Sequence, residues 1–397
     1  MSVGVGVEFG LAPMEGVSDW PFRLWFSQVS APALMGTPFL RATDSYPKLL
    51  PEDFAPEIGR YAMPYKIIPQ VMASRPEDFV RTARLFLDAG ASFVDLNCGC
   101  PSPNPVSGGA GSSLLKTEDS FLFFVRTIAK SLPKGSFSVK MRTGFDDYNL
   151  FQKHIDGLRE LPLRQLTVHG RTRRDRYDGQ SRWDLIQQAS EALPFPVVAS
   201  GDVLSHQTWA DKKALHPHIP KVIIGRGALR NPWLFEELRC GQAVTISKRT
   251  LLLTLATFGR IMELSYNDKD RLDQLVKSGL FHDACLTDET KWTALWSALG
   301  GGELKDMIVE RFAFGRTKMV WNSLRSSLPA EFFEPTLLRA KSLGEFLSAI
   351  EAIGEDSFRV THAPEMDWLY TSSRKKPGNE SENESKNELQ PSPESSD

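Results

Sequence analysis

Eight short apolar runs, each bounded by turn-forming residues, follow one another over the first 225 residues, and this regularity constrains the fold more than any other feature. They are Phe9–Pro13, Ala33–Thr37, Ile67–Val71, Phe93–Asn97, Phe137–Met141, Gln165–His169, Pro196–Ser200 and Lys221–Gly225. Segments fit for helices separate them. The plainest runs from Pro76 to Gly90: proline and two acids open it, Phe79, Val80, Ala83 and Leu87 recur at helical spacing, and glycine closes it. Eight strand–helix alternations predict an α/β fold, a closed TIM (β/α)8 barrel rather than an open sheet. The 397 residues leave room beyond a barrel of about 250 for a smaller domain.

Past Gly241 the pattern changes. Long helix-like stretches, Ile246–Leu264 and Glu310–Leu328, replace the alternation, and no strands are expected there. The expected organisation is a barrel over 1–243, a helical domain over 244–370 and a disordered tail over 371–397, whose polar, low-complexity composition has almost nothing to bury. Ser265–Gly302 reads as a helical insertion.

Composition narrows the function. No apolar run approaches the roughly 18 residues of a membrane span. The N-terminus lacks a basic segment followed by a long apolar core, so a cytoplasmic protein is expected. Four cysteines are too few for a disulfide framework, and Cys98 and Cys100 have no second pair at zinc-ligand spacing, so no metal site is expected. The net charge is −2, so any nucleic-acid binding must rest on local positive charge. Arg164–Arg182 supplies such a patch, with six arginines against two aspartates.

Working residues of a parallel β/α barrel lie at the C-terminal ends of strands and in the loops that follow. The unusual residues of this chain recur there. The first run ends in Ala12-Pro13-Met14-Glu15-Gly16, the third holds Gln70, and the fourth ends in Asn97-Cys98-Gly99-Cys100-Pro101. The fifth carries Lys140 and Arg142, the sixth ends in His169-Gly170-Arg171, and the last two end in Ser200-Gly201-Asp202 and Gly225-Arg226-Gly227. Small residues in the last two loops let backbone N–H groups approach a phosphate, and Arg226 adds charge. Lys140, flanked by apolar residues, needs a partner for its ammonium.

Four blocks, Ala12-Pro13-Met14-Glu15-Gly16-Val17-Ser18-Asp19, Asp95-Leu96-Asn97-Cys98-Gly99-Cys100-Pro101-Ser102, Val168-His169-Gly170-Arg171-Thr172 and Ile224-Gly225-Arg226-Gly227-Ala228, resemble the tRNA-dihydrouridine synthase family, in order over residues 9–240. The segment Arg316-Thr317-Lys318-Met319-Val320-Trp321 resembles a diverged form of that family's C-terminal basic-aromatic stretch. The double cysteine resembles the bacterial branch acting at position 16 of the D-loop. The resemblance implies FMN as prosthetic group, NADPH as reductant and tRNA as partner. It implies that Pro13, Met14, Glu15, Gln70, Lys140, His169, Ser200, Gly201, Asp202, Gly225 and Arg226 surround the flavin. It also implies that Cys100 donates a proton, and that Arg41, Asn97, Arg142 and Arg171 lie near the uracil or the RNA. Arg173 on the basic loop, with Arg316 and Lys318 from the helical domain, would complete a positive groove.

Reducing the C5–C6 bond of uracil takes a hydride at C6 and a proton at C5, and a thiol is protonated at neutral pH. Cys98 and Cys100 would share a face of a continuing strand, so periodicity does not choose between them. A strand ending near Gly99 would leave Cys100 at the barrel mouth, where the resemblance also points. Three other readings compete: an FMN barrel acting on a free pyrimidine in the manner of dihydroorotate dehydrogenase, a barrel lyase using Lys140 as a Schiff-base amine, and a tRNA-binding protein without activity. No protein partner is expected.

Overall fold

The computed structural model describes residues 7–45, 50–102 and 108–362, which belong to one compact unit. Ser107 of the glycine-rich loop and the expected tail over 371–397 lie outside the described residues. Eight parallel strands close into a barrel: β1 (Glu8–Leu11), β2 (Leu34–Ala42), β3 (Lys66–Ala73), β4 (Val94–Cys98), β5 (Phe137–Gly144), β6 (Leu166–Thr172), β7 (Val197–Ser200) and β8 (Lys221–Ile224). β8 pairs with β1 through Phe9↔Val222 and Leu11↔Ile224, which removes both sheet edges. All eight expected strands form, most with ends shifted by one to three residues; β2 runs five residues further, to Ala42.

The outer layer consists of α1 (Trp20–Ser30), the single turn α2 (Pro51–Phe54), α3 (Pro76–Asp88), α4 (Glu118–Ser131), α5 (Phe151–Leu158), α6 (Trp183–Ala192), α7 (His206–Leu215), and the short α8 (Arg226–Arg230) and α9 (Leu234–Cys240). On α3 the buried stripe is Phe79, Val80, Ala83 and Phe86, while the expected Leu87 sits half-buried at its margin. Each strand presents alternate residues to opposite faces. On β4, Val94, Leu96 and Cys98 are fully buried in the hydrophobic core; on β5 Phe137, Val139 and Met141 do the same. Their neighbours Asp95, Asn97, Ser138 and Lys140 face the barrel interior. Across the barrel, Ala12, Leu34, Val198 and Ile223 form a small apolar cluster of their own.

The helical region contains α10 (Lys248–Asn267), α11 (Lys269–Lys277), α12 (Glu289–Ala298), α13 (Arg311–Leu324) and α14 (Leu343–Glu351). The expectation of no strands here is corrected. Val244–Ser247 (β9) pairs antiparallel with Ser357–Val360 (β10), and Ser247 then caps α10 by accepting from the Thr250 N–H. Buried Val244 and Ile246 alternate with Thr245 and Ser247, a period of two that the following helix pattern masks in sequence. Within the 265–302 segment Lys269–Lys277 and Glu289–Ala298 are helical, and the irregular stretch between them is tied to the barrel. Gln28 Nε2 donates to the Phe281 carbonyl (2.9 Å), the Leu286 N–H donates to the Gln28 carbonyl (2.8 Å), and Trp233 Nε1 donates to the Leu286 carbonyl (3.0 Å). Among the described residues no helix is long and apolar enough to cross a membrane.

Candidate active site

The C-terminal ends of the strands surround a cavity of about 390 Å³. Of the residues singled out above, Pro13, Met14, Glu15, Gln70, Asn97, Cys100, Lys140, Arg142, His169, Ser200, Gly201, Asp202, Gly225 and Arg226 all line it. A cavity of this size at the mouth of a parallel barrel suits a small organic ligand.

The two cysteines part company at the strand end. Cys98 is the last residue of β4 and is fully buried in the core, where desolvation raises its thiol well above the usual range. Beyond it the chain turns, because Asn97 Oδ1 accepts both the Gly99 N–H (3.0 Å) and the Cys100 N–H (2.6 Å). The turn brings Cys100 to the cavity wall. The Cys100 carbonyl accepts from the Ser112 N–H (3.2 Å), so the loop is held from both sides. Gly111 sits beneath it at φ +63°, and a Cβ there would come within 3.3 Å of Cys100 Cβ. That close approach accounts for part of the glycine-rich stretch.

Positive charge gathers around the cavity. Burial, reinforced by Arg142, pushes the Lys140 ammonium down to about 8. Burial likewise lowers Arg142 to about 10, and it lowers Arg226. His169 is driven well below its ordinary value by burial and then by Arg142, Lys140, Arg171 and Arg226, so its imidazole is neutral at physiological pH. Its Nδ1 is buried and unpartnered, and among the described residues no hydrogen bond or ion pair reaches the Lys140 ammonium. Groups of this kind call for a polar, anionic occupant.

At Gly201 (φ +126°) a Cβ would lie 2.4 Å from Ser181 Oγ, so only glycine fits. Asp202, next along at φ +53°, receives both Arg171 Nη groups (2.7 and 2.9 Å) and the Ser181 N–H (2.7 Å), and lies 3.7 Å from the Arg226 guanidinium.

Several residues expected at the RNA or uracil have other tasks. Arg171 is 3% exposed and also donates to the Asp178 and Gly179 carbonyls, so it braces the loop after β6 instead of facing the cavity. Arg142 donates to the carbonyls of Gly99 (2.8 Å), Thr172 (2.8 Å) and Arg176 (2.9 Å), joining the Cys100 loop to the basic loop while still touching the cavity. Arg316 donates to the carbonyls of Gly16 and Val17 and to Asp19 (2.8 Å), and thereby fastens α13 to the loop after β1. Lys318 Nζ donates to the Leu338 (2.9 Å) and Ala340 (2.8 Å) carbonyls. Side chains spent on acceptors within the chain leave few donors for phosphates, and partners so distant in sequence are not legible from it. Arg41, exposed at the end of β2, and Arg173, half-buried over the Phe145 ring at 5.1 Å, lie outside the cavity lining.

Sequence reasoning passed over Tyr177. It is half-exposed, lines the cavity and carries the Arg226 guanidinium 4.2 Å from its ring centroid. The one signal was an aromatic residue set among charges in Arg176-Tyr177-Asp178.

A closed parallel barrel whose strand ends converge on a cationic, glycine-lined cavity defines a β/α-barrel enzyme. The dihydrouridine synthase family model matches residues 10–269, and the chain belongs to that family. It is 31% identical over 230 residues to tRNA-dihydrouridine synthase B of Xanthomonas campestris pv. campestris, covering 57% of this chain and 68% of that one. It is 34% identical over 237 residues to the tRNA-dihydrouridine(16) synthase of Ralstonia nicotianae (58% and 72%). It is 29% identical over 277 residues to that of Shewanella oneidensis (67% and 85%).

Proposed function

We propose that this chain reduces the C5–C6 double bond of a D-loop uridine in tRNA, with FMN in the barrel-mouth cavity and NADPH as reductant. The observation that carries the reading is the placement of Cys100 on the wall of a cavity that also holds the Lys140 ammonium, which no hydrogen bond reaches among the described residues, and the buried His169 Nδ1. The names of the relatives support the tRNA substrate, and two of those above are named for position 16. A cytoplasmic site of action accords with a tRNA substrate.

The residues present fit a flavin nucleotide. Arg226, with the backbone at Gly201 and Gly225, would hold the phosphate, and Lys140 and His169 would face the isoalloxazine ring. A flavin held there would supply the hydride for C6 of the base. The Cys100 S–H gives its proton to C5, which completes the reduction and leaves a thiolate to be reprotonated from solvent. The Lys140 ammonium offsets the negative charge that accompanies reduction. The uridine must leave its stack to enter, and the half-exposed Tyr177 ring offers it a surface.

The direct test is to incubate the purified protein with FMN, NADPH and an unmodified tRNA transcript and to map dihydrouridine by position. Dihydrouridine at position 16 is expected; colourless protein that takes up no added FMN would overturn the cofactor assignment. A free pyrimidine should not be turned over. Contact of the basic loop with RNA has its own test. Arg173→Ala with Arg174→Ala should weaken tRNA binding, leave the flavin spectrum unchanged, and reduce the log–log salt slope by about one per lost phosphate contact. An unchanged slope would return both side chains to the solvated surface, where Arg174 already faces Asp146 at 3.5 Å.

A further inference from the structure

Below the cavity, a chain of side-chain hydrogen bonds runs from the barrel interior to the backbone of the Cys100 loop. Ser138 Oγ donates to Asp95 Oδ1 (2.5 Å), and Gln70 Nε2 donates to Asp95 Oδ2 (2.7 Å). Asn97 Nδ2 donates to Gln70 Oε1 (2.7 Å), and Asn97 Oδ1 accepts the N–H groups of Gly99 and Cys100. All four side chains are buried, with Ser138 at 0%, Gln70 at 1%, Asp95 at 4% and Asn97 at 7% exposure, so a lost link leaves a buried polar group in want of a partner. Asp95 is not among the residues lining the mouth cavity.

A side-chain amide can be turned end for end, so only its partners fix which end is donor. At the lower end of this chain a carboxylate, which only accepts, demands the NH2 of Gln70. At the upper end two backbone N–H groups demand the oxygen of Asn97. The demands meet at Gln70 Oε1 and Asn97 Nδ2, and they agree. Turning either amide alone would set oxygen against oxygen at one contact or N–H against N–H at another.

We propose that Asp95 is a positioning residue for the reduction: as a hydrogen-bond acceptor it sets the polarity of the Gln70 and Asn97 amides, and so holds the Cys100 thiol at the cavity wall. The proposal rests on the reading of Cys100 as proton donor. A rival role for the same carboxylate is counter-charge to Lys140, whose ammonium acts on it electrostatically. Two substitutions separate the roles. Asp95→Leu removes both acceptor and charge. Asp95→Asn removes only the charge, because its amide can turn its oxygen to Gln70 and its NH2 to Ser138 Oγ.

The measurement is iodoacetamide alkylation of the flavin-bound protein, followed cysteine by cysteine by peptide mass spectrometry. Exposed Cys240 serves as internal reference, and Cys98 and Cys285 are buried. In Asp95→Leu, Cys100 should alkylate faster relative to Cys240, and single-turnover uridine reduction should fall, each on the order of tenfold for the lost Gln70–Asp95 hydrogen bond, the one that reaches the Cys100 loop. Asp95→Asn should stay within about twofold of the wild type in both. Should Asp95→Leu not fold, Asp95→Ala removes the same acceptor with no added bulk. Equal damage from Asn and Leu would assign Asp95 to charge balance and overturn the proposal, as would unchanged alkylation in Asp95→Leu. If Cys100→Ala keeps full turnover, the proton-donor reading fails, while the alkylation comparison still decides what Asp95 does to the loop.

Discussion

Cys100→Ala will keep its flavin and its fold yet stall on tRNA, with single-turnover uridine reduction slowed on the order of 10²-fold or more. The expectation follows from position: Cys100 is the thiol on the cavity wall, held through its N–H by Asn97 and through its carbonyl by Ser112. Without a proton for C5, hydride delivery to C6 has no productive end. Cys98→Ala will show the opposite signature. That thiol is fully buried among the core side chains between β4 and the helix layer, so its loss leaves a small void that costs about 1 kcal/mol of stability and little activity. Recovery of flavin absorbance on mixing the reduced enzyme with tRNA, alongside thermal melts of both variants, resolves the two cases. A stalled Cys98→Ala beside an active Cys100→Ala would reverse the assignment.

Lys140→Met, which keeps the apolar stem and removes the charge, should slow reduction of the bound flavin by NADPH on the order of 10²-fold. The pH dependence carries a sign that can be checked. In the unliganded protein burial holds the Lys140 ammonium down to about 8, so its charge is present below that pH and is lost above it. Flavin reduction in the wild type should therefore decline as the pH rises through about 8, or somewhat higher once an anionic cofactor favours the charged form. Lys140→Met should lack that limb. Stability runs the other way. The folded value lies below the ordinary 10.5, so the unfolded chain binds the proton more tightly. The cofactor-free protein should then gain stability from this group as pH climbs from about 8 toward 10.5, a rise that Lys140→Met abolishes. Identical pH profiles in wild type and variant would show that another group supplies the charge.

Much of the barrel was legible because its strands carry their instructions locally. Val94-Asp95-Leu96-Asn97-Cys98 and Phe137-Ser138-Val139-Lys140-Met141-Arg142 alternate apolar residues for the helix layer with polar residues for the interior. The turn after Cys98 was equally local, since Asn97 captures backbone N–H groups two and three residues on. What sequence could not convey depends on partners that only the folded chain brings together. An arginine at a strand end reads the same whether it meets a phosphate or, as at Arg171, an aspartate 31 residues away. Arg316 finds its acceptors about 300 residues upstream. The β9 strand escaped notice for a different reason: Val244 and Ile246 run straight into the apolar pattern of α10, and four residues are too few to impose a period of their own.

That strand pair also bears on the order in which the protein is assembled. Ser247 pairs with Ser357, so β9 leaves the ribosome about 110 residues before its partner. Until then Val244–Ser247 is an open edge beside a long apolar helix, and closing so large a loop comes late and slowly. The barrel strands, by contrast, are complete at Ile224. Synthesis should thus pass through a stage with a finished barrel and an unsealed helical region. That stage is where exposure to proteases, or to the edge of another copy, is greatest.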